Sequence, residues 1–159
     1  MQTTDVDNVE YAGFWIRVGA ALIDTLLLIA ITFPLLLWIY GWSYFGDDTG
    51  LVAGPADFVI SWLDPAVAAI AFWLYRQATP GKMALSLRVV DATTGSTLSI
   101  GQSIGRYLAY YVSAIPLFIG FIWVAFDSKK RGWHDKLAGT VVIRAKPSAA
   151  EAVRFEPRS

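Results

Sequence analysis

The chain has 159 residues, of which 55% are hydrophobic and 16% are charged. This charged fraction is well below the roughly 25% that is usual for soluble domains, and a formal net charge of zero excludes a global field that would attract nucleic acid. Because the chain contains no cysteine and only one histidine, His134, disulfides and thiolate sites are excluded within it, and we expect neither a metal centre nor a cofactor.

The first apolar run extends from residue 14 to residue 40 and is long enough to cross the ~30 Å hydrocarbon core of a bilayer. Trp15 and Trp38 stand near its two ends, an arrangement typical of the aromatic belts of membrane helices. Residues 41–57 contain neither lysine nor arginine and are predicted to form a loop. A second apolar run, residues 58–75, ends before Arg76 and is predicted to be a second crossing.

From residue 76 onward the chain is more basic and less uniformly apolar. Alternating and β-branched residues predict a strand at 85–90, followed by a turn at 91–95. Ser99 and Gln102 have the spacing of a capping box, which predicts a helix that begins near residue 100. A third apolar run at 107–126 is interrupted by Pro116 and Gly120, and a second strand is predicted at 140–144.

The distribution of basic residues predicts the orientation of the chain. Because cytoplasmic loops are enriched in lysine and arginine, the N-terminus and the basic segments 76–106 and 129–146 are predicted to be cytoplasmic, with 41–57 outside. Three full crossings would place 129–146 outside, so a re-entrant hairpin or interfacial segment at 107–126 is favoured, with a full span as the alternative. The two strands would then pair on the cytoplasmic side.

These predictions together describe an all-α membrane protein with two transmembrane helices, a third membrane segment and a small cytoplasmic β element. Its parts are a cytoplasmic tail at 1–10, a membrane domain at 11–144 and a disordered tail at 145–159. The expected location is a bacterial inner membrane, as a multi-pass protein.

Asp24 is the sharpest candidate for a functional residue, because it is predicted to lie roughly 13 Å into the bilayer from Trp15. Asp64 on the second run is predicted at a similar depth, and Arg17 lies two turns before Asp24 on nearly the same helix face. A charge at mid-helix costs about 2.5–3.5 kcal/mol, which favours a partner, a water-filled cavity or protonation. Either the two carboxylates bind a proton or cation with help from Arg17, or polar side chains simply join the helices.

A densely charged stretch follows the third apolar run. It would either bind anionic lipid headgroups or serve as a positive-inside anchor. Its members are Asp127, Lys129, Lys130, Arg131, His134, Asp135 and Lys136.

Several ordered motifs resemble those of the RDD family, a family of small bacterial membrane proteins named for one arginine and two aspartates. They are Gly13-Phe-Trp-Ile-Arg-Val-Gly-Ala-Ala-Leu-Ile-Asp24, Thr79-Pro-Gly-Lys82, Leu87-Arg-Val-Val-Asp91 with Gly95, Arg106, and residues 127–140. The resemblance implies that Arg17 is the family arginine, that Asp24 is its first aspartate, and that Asp127 or Asp135 is the second. Asp64 is not part of that signature. For the family, transport has been proposed, including cation/proton exchange by some members.

The leading functional hypothesis is therefore exchange of protons and monovalent cations through Asp24. Two or three spans enclose little space, so we expect a homo-oligomer. The alternative is a membrane scaffold without transport, which binds a partner protein or an anionic lipid. We expect the lipid bilayer as the surroundings, no nucleic-acid partner and no enzymatic activity.

Overall fold

The computed structural model describes residues 8–46, 51–116 and 118–146. Its first long element is helix α1, Phe14–Tyr40, which contains Pro34 and continues as a 3-10 turn at Gly41–Phe45. The 27 residues of α1 span about 40 Å. Within α1 only Ala20 and Leu36 are buried, so its apolar side chains face outward along most of its length. Phe14–Phe45 is thus long and apolar enough to cross a membrane.

The second apolar element is a continuous helical stretch from Pro55 to Arg76. It consists of α2, Pro55–Phe58, a π-helical turn at Val59–Leu63, and α3, Asp64–Arg76. Pro65 lacks an N–H and its ring clashes with the carbonyl four residues earlier, and the wide π turn directly before it accommodates this defect. The helix begins three residues before the predicted run, so the last part of the predicted loop is helical, while residues 47–50 of that loop lie outside the described residues.

After α3 the chain forms a short helix, α4, Pro80–Ala84, and then α5, Ile100–Ala114. The predicted capping box of α5 is confirmed: the hydroxyl of Ser99 accepts from the amide of Gln102 at 3.1 Å, and the side chain of Gln102 accepts from the amide of Ser99 at 3.0 Å. Such reciprocal bonds satisfy two of the free N–H groups at a helix start.

Helix α6, Ile119–Ile122, and a 3-10 turn at Trp123–Ala125 complete the third apolar segment. It is bent by 112° relative to α5, so the segment is a broken span or a re-entrant pair and not a straight helix. Phe118 has a left-handed backbone at the bend, with φ of 61°. A Cβ on Gly120 would lie 2.6 Å from the Cα of Ser113, so this position has room only for glycine.

The β element is a three-stranded antiparallel sheet in the order β1-β3-β2. Its strands are β1, Val9–Tyr11, β2, Leu87–Asp91, and β3, Thr140–Ala145, and helix α7, Trp133–Ala138, leads into β3. The predicted pairing of the two later strands is confirmed, with Val89 opposite Val142. Strand β1 was not predicted: it takes residues 9 and 10 from the predicted N-terminal tail and pairs with β3.

The buried core lies where this sheet meets the helices. Leu87, Val89 and Val142 from the sheet are buried together with Ala20 of α1 and Trp73 of α3. At the other end of the chain, Ala145 ends β3 and the amide of Lys146 donates to Asn8, while the rest of the predicted disordered tail lies outside the described residues. The fold is thus mostly helical, with two or three long apolar elements and one small sheet.

Candidate functional site

Three charged side chains, those of Arg17, Arg106 and Asp135, form one largely buried cluster. Asp135 is completely buried, and its Oδ2 accepts from Nη1 of Arg17 at 2.5 Å. Its Oδ1 accepts from Nη1 of Arg106, which is 1% exposed. The three side chains come from α1, α5 and α7, and the ion pairs therefore connect elements up to 118 residues apart.

Asp135 is held in place by its own helix. It occupies the third position of α7, where its Oδ2 also accepts from the amide of Gly132 at 3.0 Å. A carboxylate in the first turn of a helix satisfies a free N–H group and interacts favourably with the helix dipole. The local sequence of α7 therefore orients the carboxylate before any distant residue reaches it.

Each arginine also bonds to a second structural element. Arg17 donates from Nε to the carbonyl of Ala12 at 3.0 Å and from Nη2 to the carbonyl of Lys130 at 2.5 Å. Arg106 donates to the hydroxyl of Thr140 at 2.5 Å, which ties α5 to β3. These bonds turn the cluster into a junction between the apolar helices and the sheet.

The cluster contains more donors than acceptors. Arg106 stacks on the rings of Trp73 and Tyr110, at 5.4 and 5.7 Å from their centroids. Its Nε and the Nε1 of Trp73 are buried without an acceptor among the described residues. With two cations for one anion, the site strongly favours the ionised form of Asp135: burial acts to raise the pKa of this carboxyl, but Arg106 and Arg17 hold the pKa well below its ordinary value.

His134 lies beside this cluster and is neutral at pH 7. Burial lowers its pKa to about 3; the nearby arginines act in the same direction, and Asp135 opposes them. Its Nδ1 is 3.4 Å from the hydroxyl of Ser113, and its Nε2 is 3.6 Å from Asp135. The three residue types match a hydrolytic triad, but all three are buried, and Ser113 donates its proton to the carbonyl of Ala109. The arrangement fastens α7 against the bend between α5 and α6.

Asp24 forms a second polar site on α1. Its Oδ2 accepts from the hydroxyl of Thr79 at 2.6 Å, and its Oδ1 accepts from the amide of Gly81 at 2.7 Å. The Nζ of Lys82 is 3.3 Å from the same threonine hydroxyl. Helix α4 approaches α1 so closely that a Cβ on Gly81 would lie 2.1 Å from the carbonyl oxygen of Ala20. The Thr79–Lys82 motif therefore docks on Asp24.

The structure does not bring Asp64 to Asp24. Asp64 is exposed at the start of α3, and no hydrogen bond or ion pair joins the two carboxylates in the described part of the chain. The buried carboxylate of the second apolar element is instead Asp57, which accepts from the side chains of Tyr44 and Ser61 at 2.8 and 2.6 Å. This contact joins the far ends of the two long helical elements.

The basic stretch is partly neutralised by Asp127. This carboxylate accepts from Nζ of Lys136 at 2.7 Å and from Nε of Arg131 at 3.3 Å. The hydrogen bond from Lys136, with the help of Arg131, lowers the pKa of Asp127 to about 2. Of the other two candidates, Lys130 reaches the carbonyl of Ala125 at 3.5 Å and Lys129 is exposed.

Thr79, Gly81, Arg106 and Thr140 complete the two sites, and none was a sequence candidate for function. Arg106 carried the clearest signal, because it directly precedes the third apolar run, where a charge needs a partner. Thr140 carried no signal beyond its place in the 127–140 motif, since a threonine at the start of a strand is ordinary.

The family model described as RDD family matches residues 11–139. Uncharacterized protein YxaI of Bacillus subtilis (strain 168) is 33% identical over 147 residues, which cover 83% of this chain and 96% of that protein. Uncharacterized membrane protein YteJ of the same organism is 29% identical over 150 residues, covering 91% and 88%.

Uncharacterized protein RP437 of Rickettsia prowazekii (strain Madrid E) is 43% identical over 76 residues, 48% of this chain, and the match spans only 42% of that protein. No solved structure matches the chain.

Proposed function

This chain belongs to the RDD family and is a membrane protein, and we propose that it acts as a membrane-anchored platform, in which buried ion pairs hold a small sheet against the apolar helices. The observation that carries the proposal is the cluster of Arg17, Arg106 and Asp135. All three side chains are at most 11% exposed and are bonded to each other or to the backbone of neighbouring elements. Ion pairs that are buried and bonded in this way favour a structural role for the cluster over a role in ion transport.

The position of the cluster supports a platform on one face of the membrane. Arg17 lies in the first turns of α1, close to the end from which β1 leads into the helix. The contact of Asp57 with Tyr44 lies at the opposite end of the two long helices. By the positive-inside rule the sheet faces the cytoplasm, because Arg76, Arg88 and the stretch 129–136 lie on its side.

The absence of cysteine makes this proposal directly testable. A single cysteine replacing the fully buried Val142 of β3 is expected to be protected from maleimide in the otherwise unchanged protein. Arg17→Gln in that background should expose it, because the sheet loses its attachment to α1. Asp127→Asn is the matched control, since it removes a carboxylate with partly exposed partners and should leave the labelling rate unchanged. Equal labelling in all three backgrounds would contradict the platform.

Proton or cation exchange is the second candidate function, and Asp24 is the observation that favours it. Its carboxylate lies partly buried on an apolar helix and is held by hydrogen bonds, with no ion pair to it in the described ranges. Thr79 and Lys82 would supply the neighbouring groups of an exchange site.

The test of this second function is dissipation of a pH gradient by sodium or potassium in proteoliposomes. Exchange predicts that Asp24→Asn abolishes the flux and that Asp64→Asn, its matched control on α3, leaves it intact. Absence of flux from folded wild-type protein would overturn exchange and leave the platform as the function to pursue.

A further inference from the structure

A groove of about 860 Å³ lies between the C-terminal end of α3 and the sheet. We propose that this groove binds a phosphate group, carried by an anionic phospholipid, through the guanidinium groups of Arg76 and Arg88. The proposal rests on the platform function above and names the ligand that would seat the platform on the membrane surface. It places the lipid site away from the basic stretch 127–136.

The backbone brings the two arginines together. The carbonyl of Gln77 accepts from the amide of Val89 at 2.5 Å, a bond that links the end of α3 to β2. Arg76 and Arg88 are the residues immediately before these two, and both line the groove with exposed side chains. Their side chains therefore start from neighbouring backbone positions and can reach one shared anion.

The groove carries positive charge that the described residues do not neutralise. Arg144 also lines it, but its Nε is 2.5 Å from a carboxylate oxygen of Glu10. Arg76 and Arg88 have no such partner in the described part of the chain, and none of the residues that line the groove is an aspartate or glutamate. Two planar guanidinium groups without a carboxylate suit the bidentate recognition of a phosphate.

The groove lies where a lipid headgroup would be. Arg76 is the last residue of the Pro55–Arg76 stretch, which is long and apolar enough to cross a membrane. Tyr75, 84% exposed directly before it, is a typical residue of the membrane interface. A phospholipid could therefore keep its acyl chains beside α3 while its phosphate enters the groove. The stretch 127–136 is less suitable, because Asp127 already holds Arg131 and Lys136.

The test is native mass spectrometry of the delipidated full chain in detergent, titrated with phosphatidylglycerol and separately with phosphatidylcholine. We expect one phosphatidylglycerol to bind in preference to phosphatidylcholine. The double variant Arg76→Gln/Arg88→Gln should weaken this binding by at least about tenfold, which corresponds to one lost charge-assisted contact. Lys129→Gln, which removes an exposed basic residue outside the groove, is the control and should bind as the wild type does.

Inorganic phosphate added to the complex distinguishes the sources of the phosphate group. If millimolar phosphate displaces the lipid, the groove also accepts the free anion. If the lipid stays bound, the groove is specific for the phosphate group of the lipid. Both results support the phosphate site. Equal binding of the two lipids, or unchanged binding in the double variant, would overturn it. The platform function is tested separately, by measuring the rate at which maleimide labels a cysteine at position 142 in the Arg76→Gln/Arg88→Gln variant.

Discussion

Replacing Asp135 by asparagine is expected to be the most destabilising isosteric change in the chain. The variant keeps the shape of the side chain and an oxygen that can accept from Gly132, but it removes the carboxylate that, among the described residues, pairs with both Arg17 and Arg106. Two buried guanidinium groups would then be left without a counter-charge. Breaking a buried ion pair by removing one partner costs about 3–5 kcal/mol.

The expected size of the effect follows from the contacts. Because a change of 1 kcal/mol shifts the Tm of a domain of this length by roughly 2–4 °C, the Tm should fall by roughly 6–20 °C. The assay is thermal unfolding of the detergent-solubilised protein at neutral pH, monitored by size-exclusion chromatography after heating. Asp127→Asn is the control: its ion pairs are partly exposed, so its loss should cost about 1 kcal/mol or less.

Two results would refute this reasoning. If Asp135→Asn unfolds at the same temperature as Asp127→Asn, the cluster does not hold the fold together. If the double variant Asp135→Asn/Arg106→Met is as unstable as Asp135→Asn alone, the unpaired Arg106 does not contribute to the cost, because removing both partners of a buried pair is much less costly than removing one. Arg17 loses its carboxylate partner in both variants, so only a partial recovery of the Tm is expected.

Three further predictions follow from the same structure. His134 stays neutral in the folded state, where its pKa is about 3, but binds a proton near pH 6.5 in the unfolded state. The free energy of unfolding should therefore fall by about 1.4 kcal/mol for each pH unit below 6.5. Measurements of the Tm between pH 7.5 and 5 should show this slope, and His134→Gln should remove it. Gly81→Ala should lower the Tm through a clash with the backbone of α1, whereas Gly105→Ala, which meets nothing within 4 Å, should leave it unchanged or raise it. Single cysteines at Ser43 and Thr94 should react with a membrane-impermeant maleimide from opposite sides of the membrane; reaction from the same side would contradict the two-crossing orientation.

The apolar helices and the strand pairing were predictable because each is encoded by local patterns. A mainly apolar run of 27 residues and the Ser99–Gln102 capping box each encode their structure in their own residue spacing. Strand β1 was not predictable in the same way, since Val9–Tyr11 is too short to show alternation and is stabilised by a partner more than 130 residues away.

The contacts of the charged residues were also not predictable from local sequence patterns. Counting residues along each helix placed Asp24 and Asp64 at a similar depth in the bilayer and so suggested a shared site. Such counting does not give the direction in which a side chain points. In the structure, Asp24 accepts from Thr79 and Gly81 at the start of α4, and Arg17 pairs with the carboxylate of Asp135. Sequence alone did not decide between Asp127 and Asp135; in the structure, burial and contact with Arg17 distinguish Asp135.

The strand order β1-β3-β2 has a consequence for how the protein is made. Strand β3 is central among the three described strands, so β1 and β2 both pair with the one of the three that is synthesised last. The same delay applies to the partner of Arg17, because Asp135 is synthesised 118 residues later. A nascent chain halted before Thr140 would have its helices in place but no sheet, with two open strand edges available for aggregation. The fold can therefore close only after both Asp135 and β3 have been synthesised.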